Sequence, residues 1–241
     1  MPETHSHLED GTGRYPCLPR SLLRLQTWLS PTFPVGAYSY SHGLEWAVEA
    51  GHVGSRDSLI DWLDADLCYG SSRNEAIFFS QAYRHAVDGN PAALVQVAEL
   101  ASASRGTLEF ALESSQQAAA CLATLRKMWP DPLLDFLSRM QFPLTLAVVL
   151  GVRSAKEEIP MNVVLPAFLH SYVANLVSAG IRLIPLGQTD GQFAIAELEL
   201  SVLSACAHAR NASLDDIGSA GFNAELASIW HETQYTRLFR S

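Results

Sequence analysis

Glu109 and Glu113 stand four residues apart, so on a helix their carboxylates share one face and could hold a cation or divide acid and base roles. With no third ligand nearby, the pair reads as a solvated helix face. His231-Glu232-Thr233-Gln234-Tyr235 comes within one residue of HExxH, the zinc motif that aims two imidazoles at one metal. Tyr235 stands where the second histidine belongs, which removes a ligand. Ser39-Tyr40-Ser41-His42-Gly43 approaches the nucleophile elbow GxSxG, and Ser41 with His42 or His231 as base would make a helical serine hydrolase. An elbow needs a strand before it, and this sequence has none to offer. Cys206 and His208 are two apart and point to nearly opposite sides of a helix. His5 and His7 could hold Ni²⁺ or Zn²⁺ loosely, but an ordinary disordered terminus is the better reading of them. No glycine is followed by lysine, which excludes a Walker A loop. The glycines at 51 and 54, and at 187 and 191, suit turns rather than a dinucleotide fingerprint.

Whatever these residues do, helices position them. The 241 residues are 48% hydrophobic and 17% charged, enough to bury a core without disulfide or metal staples. A net charge of −9 opposes binding to nucleic acid or to an anionic membrane surface. The four cysteines, at 17, 68, 121 and 206, form no CxxC pair and read as reduced thiols of a cytoplasmic protein. Residues 1–20 lack the apolar run of a signal peptide and read as a flexible tail ahead of one helical domain over 21–241.

Helix signals recur along that domain. Ser21 precedes a Leu22, Leu25, Leu29 face that Ser30-Pro31 stops, and Gly51 can end a helix through Leu44, Ala47 and Val48. Ser55 opens a Leu59, Leu63, Leu67 pattern, with a break at Gly70. Asn90-Pro91 and Asp131-Pro132 are cap-plus-proline starts, and Thr107 caps a long stripe of Leu108, Ala111, Leu112, Ser115, Ala119, Leu122 and Leu125. Residues 159–181 hold no Asp, Glu, Lys or Arg and would cross a bilayer core of ~30 Å by length. Pro160, Asn162, Pro166, His170 and Asn175 make them a core helix instead, kinked or restarted at Pro166. Alternating strand patterns are nearly absent. The expected fold is all-α, a single multi-helix bundle.

Three segments look made for contact. Phe33 to Tyr40 concentrates aromatic rings in a loop stiffened by Pro34 and Gly36, with a buried packing loop as the rival reading, and Arg182 to Gln192 reads RLIPLGQTDGQ after the neutral helix, where a plain helix-to-helix turn is the alternative. The chain closes on Tyr235-Thr236-Arg237-Leu238-Phe239-Arg240-Ser241, a mixture of the residue types that dominate interfaces. It must dock on a partner or back on its own body.

Leu29 to Glu45, reading LSPTFPVGAYSYSHGLE, with Pro185 to Gln192 and His231 to Ser241, together resemble the UreF family of urease accessory proteins. The likeness runs from about Leu22 to Ser241, so His5 and His7 inherit nothing from it. One departure lies after Thr107, where Glu109-Phe110-Ala111 and Gln117-Ala118 replace the Glu-Leu-Arg and Met-Gly common in the family. The resemblance implies an all-helical, cytoplasmic homodimer that bridges a UreD/UreH-type protein and the GTPase UreG during nickel insertion into apo-urease. It implies no catalytic turnover and no resident cofactor, with nickel handled by the complex. Tyr235, Arg237, Leu238, Phe239 and Arg240 would dock on the UreD-type partner, and Pro34, Gly36 and Tyr38 would belong to the GTPase-facing surface. Arg237 or Arg240 could serve as an arginine finger only if not committed elsewhere. A helical scaffold unrelated to nickel is the remaining alternative.

Overall fold

The computed structural model describes residues 18–241. The proposed ligands His5 and His7 lie outside them, as does most of the expected flexible tail. In chain order the helices are α1 (Leu18–Trp28), α2 (Leu44–Glu49), α3 (Arg56–Tyr69), α4 (Ser71–Val87), α5 (Pro91–Ala103), α6 (Leu108–Met128) and α7 (Pro132–Leu137). Then come α8 (Leu146–Lys156), α9 (Met161–Leu183), α10 (Gln188–Glu197), α11 (Glu199–Asn211) and α12 (Phe222–His231). Single 3₁₀ turns cover Ala37–Ser39 and Leu214–Asp216, and no strand occurs among the described residues. The fold is all-α, as expected.

The caps work as their sequences require. Asn90, Thr107 and Asp131 accept hydrogen bonds from the N–H groups of Ala93, Phe110 and Leu133, at 3.1, 3.1 and 2.8 Å. Gly51 ends α2 in the left-handed region at φ +78°. The first helix begins at Leu18, ahead of the Ser21 start read from sequence, and α9 passes through Pro166 as one continuous helix. Pro166 is the sixth residue of α9 and has no N–H for the Asn162 carbonyl, so the helix continues there at the loss of one backbone bond.

α4 and α8 form the centre. Ile77, Phe78 and Phe79 of α4 are fully buried, and every residue from Ala147 to Ala155 of α8 is buried. Gly151 permits this approach, since a Cβ there would lie 2.7 Å from the Phe79 carbonyl oxygen. α9 is the one described helix long and apolar enough to cross a membrane, yet Leu165, Leu169, Val173 and Val177 belong to the bundle core. The core continues from α1 to Phe239 near the chain's end.

The long stripe of α6 is only half right. Leu122 and Leu125 are buried as expected, but Leu108 is 76% exposed and Leu112 is exposed too. The helix instead buries Glu109, Phe110, Glu113 and Gln117 over its first half. The expectation that Glu109 and Glu113 form a solvated face is therefore overturned: they are 6% and 8% exposed. The reason is tertiary: α12 and the chain's last residues lie across this side of α6, bringing the buried groups their hydrogen-bond partners.

Candidate partner-docking site

The loop after α1 rises from the core on Phe33, which is buried, while Pro34 and Gly36 are exposed. Gly36 has φ +74° and open space where a Cβ would sit, so conformation rather than crowding selects glycine there. The 3₁₀ turn that follows lifts the Tyr38 ring into solvent and turns Tyr40 inward, where its hydroxyl reaches Gln116 Oε1 at 2.5 Å. His42 and Gly43 then both take positive φ, +56° and +78°. Positive φ strains a histidine by on the order of 1 kcal/mol, and the ring is held firmly in return. Its Nδ1 lies 3.1 Å from Glu113 Oε2, its Nε2 lies 2.7 Å from Ser71 Oγ, and it stacks on Phe110 with centroids 3.8 Å apart. Gly43 is constrained twice, because a Cβ would also sit 3.0 Å from both the Ala224 carbonyl oxygen and the Ser228 nitrogen of α12.

This turn frames the dock for the chain's end. The Arg240 N–H donates to the Ser39 carbonyl at 2.8 Å, and the Ser41 N–H and hydroxyl both donate to the Ser241 carbonyl, at 2.7 and 2.6 Å. Glu45, one residue into α2, accepts from the N–H groups of Leu238 and Phe239 at 2.6 and 2.9 Å. Ser241 Oγ donates to Glu113 at 3.0 Å. His231 is completely buried between two carboxylates, with Nε2 3.0 Å from Glu45 and Nδ1 2.9 Å from Glu109. Arg237 reaches Glu109 at 3.3 Å.

Beneath lies a longer chain of contacts. Glu113 leads through His42 to Ser71, whose N–H and hydroxyl donate to Asp66, which also accepts the Tyr172 hydroxyl at 2.9 Å. Removing one partner from such a network strands the others in a low-dielectric interior.

Glu109 and His42 respond to this network in their acidity. Burial pushes the Glu109 carboxyl above its ordinary range, against the pull of His231 and Arg237. Burial alone lowers the His42 pKa, but the charge and hydrogen bond of Glu113, helped by the Asp66 charge and opposed by Arg105, leave it raised. A raised folded-state pKa contributes stability that is complete below the unfolded value and lost as pH rises through the folded one. For His42 the unfolded value is about 6.5. Thermal unfolding is therefore expected at lower temperature at pH 8 than at pH 6. The change should be smaller in His42→Asn, which tolerates positive φ but does not titrate; an equal change in both proteins would refute it.

The site residues divide by exposure. Phe239 is buried at 4%, whereas Tyr235 is fully exposed and Leu238 largely so. Arg237 pairs with Glu109, and the Arg240 guanidinium lies 5.8 Å from the centre of the Tyr40 ring. One residue joins the tail to the loop: the Arg182 guanidinium lies 3.8 Å from the centre of the Tyr38 ring and 4.3 Å from that of Phe239, and donates to the Tyr38 carbonyl at 3.0 Å. The rest of that segment is a turn into α10, closed by the Gly187 N–H on Asp190 and by Gly191, where a Cβ would strike Ile181.

Sequence reasoning missed the role of Glu45 and placed Glu109 and Glu113 in water. Their one available signal was polarity at positions flanking Phe110, which periodicity reads as an outer face. The serine hydrolase geometry is not built. Ser41 is fully buried, its hydroxyl is spent on Ser241 and the Glu45 N–H, and His42 and His231 pair with other groups. Tyr235 points into solvent beyond buried His231, so the near-zincin motif assembles no ligand pair. Cys206 is buried and His208 exposed, on different sides of α11 as their spacing requires.

Comparison with known proteins gives the family of the chain. The UreF family model matches residues 53–199. A urease accessory protein UreF of Rhodopseudomonas palustris strain BisB5 is 51% identical over 222 residues, covering 92% of this chain and 91% of its own. The protein of the same description from Bradyrhizobium diazoefficiens is 48% identical, covering 92% of each, and that of Xanthobacter autotrophicus is 43% identical over 236 residues, covering 96% of each. The family model takes in the turn into α10 but not the loop before α2 or the closing segment. With identity near one half along nine-tenths of its length, the chain belongs to the UreF family of urease accessory proteins.

Proposed function

We propose that this accessory protein is an adaptor that holds a UreD/UreH-type protein and the GTPase UreG side by side while nickel, as cargo, enters apo-urease, and that it carries out no reaction of its own. One observation carries the reading: the exposed Tyr38 ring and the tail bearing exposed Tyr235 and Leu238 are built on a single dock and tied through Arg182. The UreD/UreH-type partner takes the tail. Its surface continues onto Leu226, Ile229 and Trp230 of α12, a row of exposed apolar side chains beside the docked segment. UreG takes Pro34, Gly36 and Tyr38.

Any effect on GTP hydrolysis acts through orientation of the GTPase, since Arg237 and Arg240 are engaged within the chain and are poorly placed as arginine fingers. Self-association as a homodimer is favoured by Phe193, Leu200 and Leu203, exposed apolar residues on successive helices α10 and α11. Cys68, Cys121 and Cys206 are all free thiols, which suits a cytoplasmic setting.

The test is urease activity in a deletion strain of a urease-positive host. The full chain should restore activity and co-purify with both partners. A form lacking residues 235–241 should lose the UreD/UreH-type protein, and restoration by that form at wild-type level would refute the adaptor geometry.

A further inference from the structure

A second feature is a groove of about 580 Å³ between α3 and α12. α3 supplies one wall, with Ser58, Asp61, Trp62, Ala65 and Tyr69 at the spacing of a single helix face. Trp46 of α2 and Trp230 of α12 form the opposite end, their ring centroids 4.4 Å apart and their planes tilted by 37°, with His52 beside Trp46. Small residues, Gly221 and Ala224, keep the groove open along α12. Three of the chain's five tryptophans therefore line one concavity.

The charge on its walls has one sign. Asp61 and Asp66 are the charged residues of the lining, and no lysine or arginine belongs to it. Asp66 is buried and satisfied by Ser71 and Tyr172. Asp61 is exposed and makes no hydrogen bond or ion pair among the described residues. Indole faces beside an uncompensated carboxylate attract a cation, and a planar guanidinium serves best because it stacks on the ring while its N–H fork meets the carboxylate.

We propose that this groove binds an arginine side chain carried by a basic segment of a partner protein. A nucleic acid could stack on the same rings, but its phosphates would be repelled by Asp61 and by the net charge of −9. The inference goes beyond the adaptor reading. The groove's far end shares Leu226 and Trp230 with the surface assigned above to the UreD/UreH-type partner, but the peptide titration uses the isolated protein, so either reading can fail while the other stands.

The groove's tryptophans report on its occupancy. Intrinsic fluorescence of the full-length protein is titrated, at low salt, with an acetylated and amidated Gly-Arg-Gly-Arg-Gly peptide and with its glutamate counterpart. The arginine peptide should give a saturable emission change and the glutamate peptide none. Asp61→Asn, at an exposed position, should weaken binding by about threefold to fivefold, and Trp62→Ala by about fivefold or more. No saturable change at millimolar arginine peptide, or an Asp61→Asn titration identical to wild type, would overturn the proposal. A concentration-dependent emission change without peptide, lost in Asp61→Asn, would give the groove to a second copy of the chain and overturn it equally.

Discussion

Glu45→Ala should unfold at a temperature lower by roughly 6–20 °C and should release the tail. Glu45 is the point at which three independent claims meet: two backbone N–H groups of the tail and the Nε2 of a completely buried histidine. Alanine leaves all three without an acceptor in an interior that water reaches poorly, and breaking a buried charged contact from one side costs about 3–5 kcal/mol. The loss is also local. Leu238 and Phe239 keep their side chains but lose the carboxylate that sets their backbone, so trypsin should cut after Arg237 and Arg240 faster than in the wild-type protein. Glu45→Gln, which retains one acceptor oxygen, should fall between the two. A variant with unchanged melting and unchanged cleavage would show that the tail is held by its side chains alone.

The second large effect separates residues that composition places together. Tyr235→Ala and Leu238→Ala remove exposed side chains, so stability should stay within about 0.5 kcal/mol of wild type. Capture of the proposed UreD/UreH-type partner should nonetheless weaken by about tenfold to thirtyfold, the scale of an interface hot spot. Phe239→Ala reverses the pattern. Its ring is buried against the core and under Arg182, and truncation should cost about 3–5 kcal/mol. Weakened capture by that variant would follow from a displaced tail. Binding measured by surface plasmon resonance and stability measured by thermal melting tell the two classes apart. Equal stability loss in Tyr235→Ala and Phe239→Ala would contradict the docked arrangement.

The dock also gives His42 and Gly43 a meaning that Ser-Tyr-Ser-His-Gly does not carry as a catalytic motif. Two successive left-handed residues turn the chain sharply into α2, aiming Glu45 at the tail while His42 reaches Glu113 behind it. The residue types that suggested a nucleophile and its base serve to seat a peptide segment. Ser41 still uses its hydroxyl, but as a donor to the Ser241 carbonyl.

By itself the sequence determined the all-α class, the caps at Asn90, Thr107 and Asp131, the stops at Gly51 and Gly70, and the core character of the charge-free helix. Each of these is local, decided by a side chain within a few residues of the backbone it caps or by apolar spacing along one helix. The family was legible as well, because three contact segments stand in order along the chain. Only the tertiary structure decided which side of α6 is covered. Glu109 and Glu113 are buried because His231, Arg237 and Ser241, more than a hundred residues away, supply their hydrogen bonds. Periodicity assigns polar residues to water, and a distant segment that brings donors of its own reverses the assignment. The split between buried Phe239 and exposed Tyr235 arises in the same way. Four residues apart in one segment, they differ only in what the rest of the fold places against them.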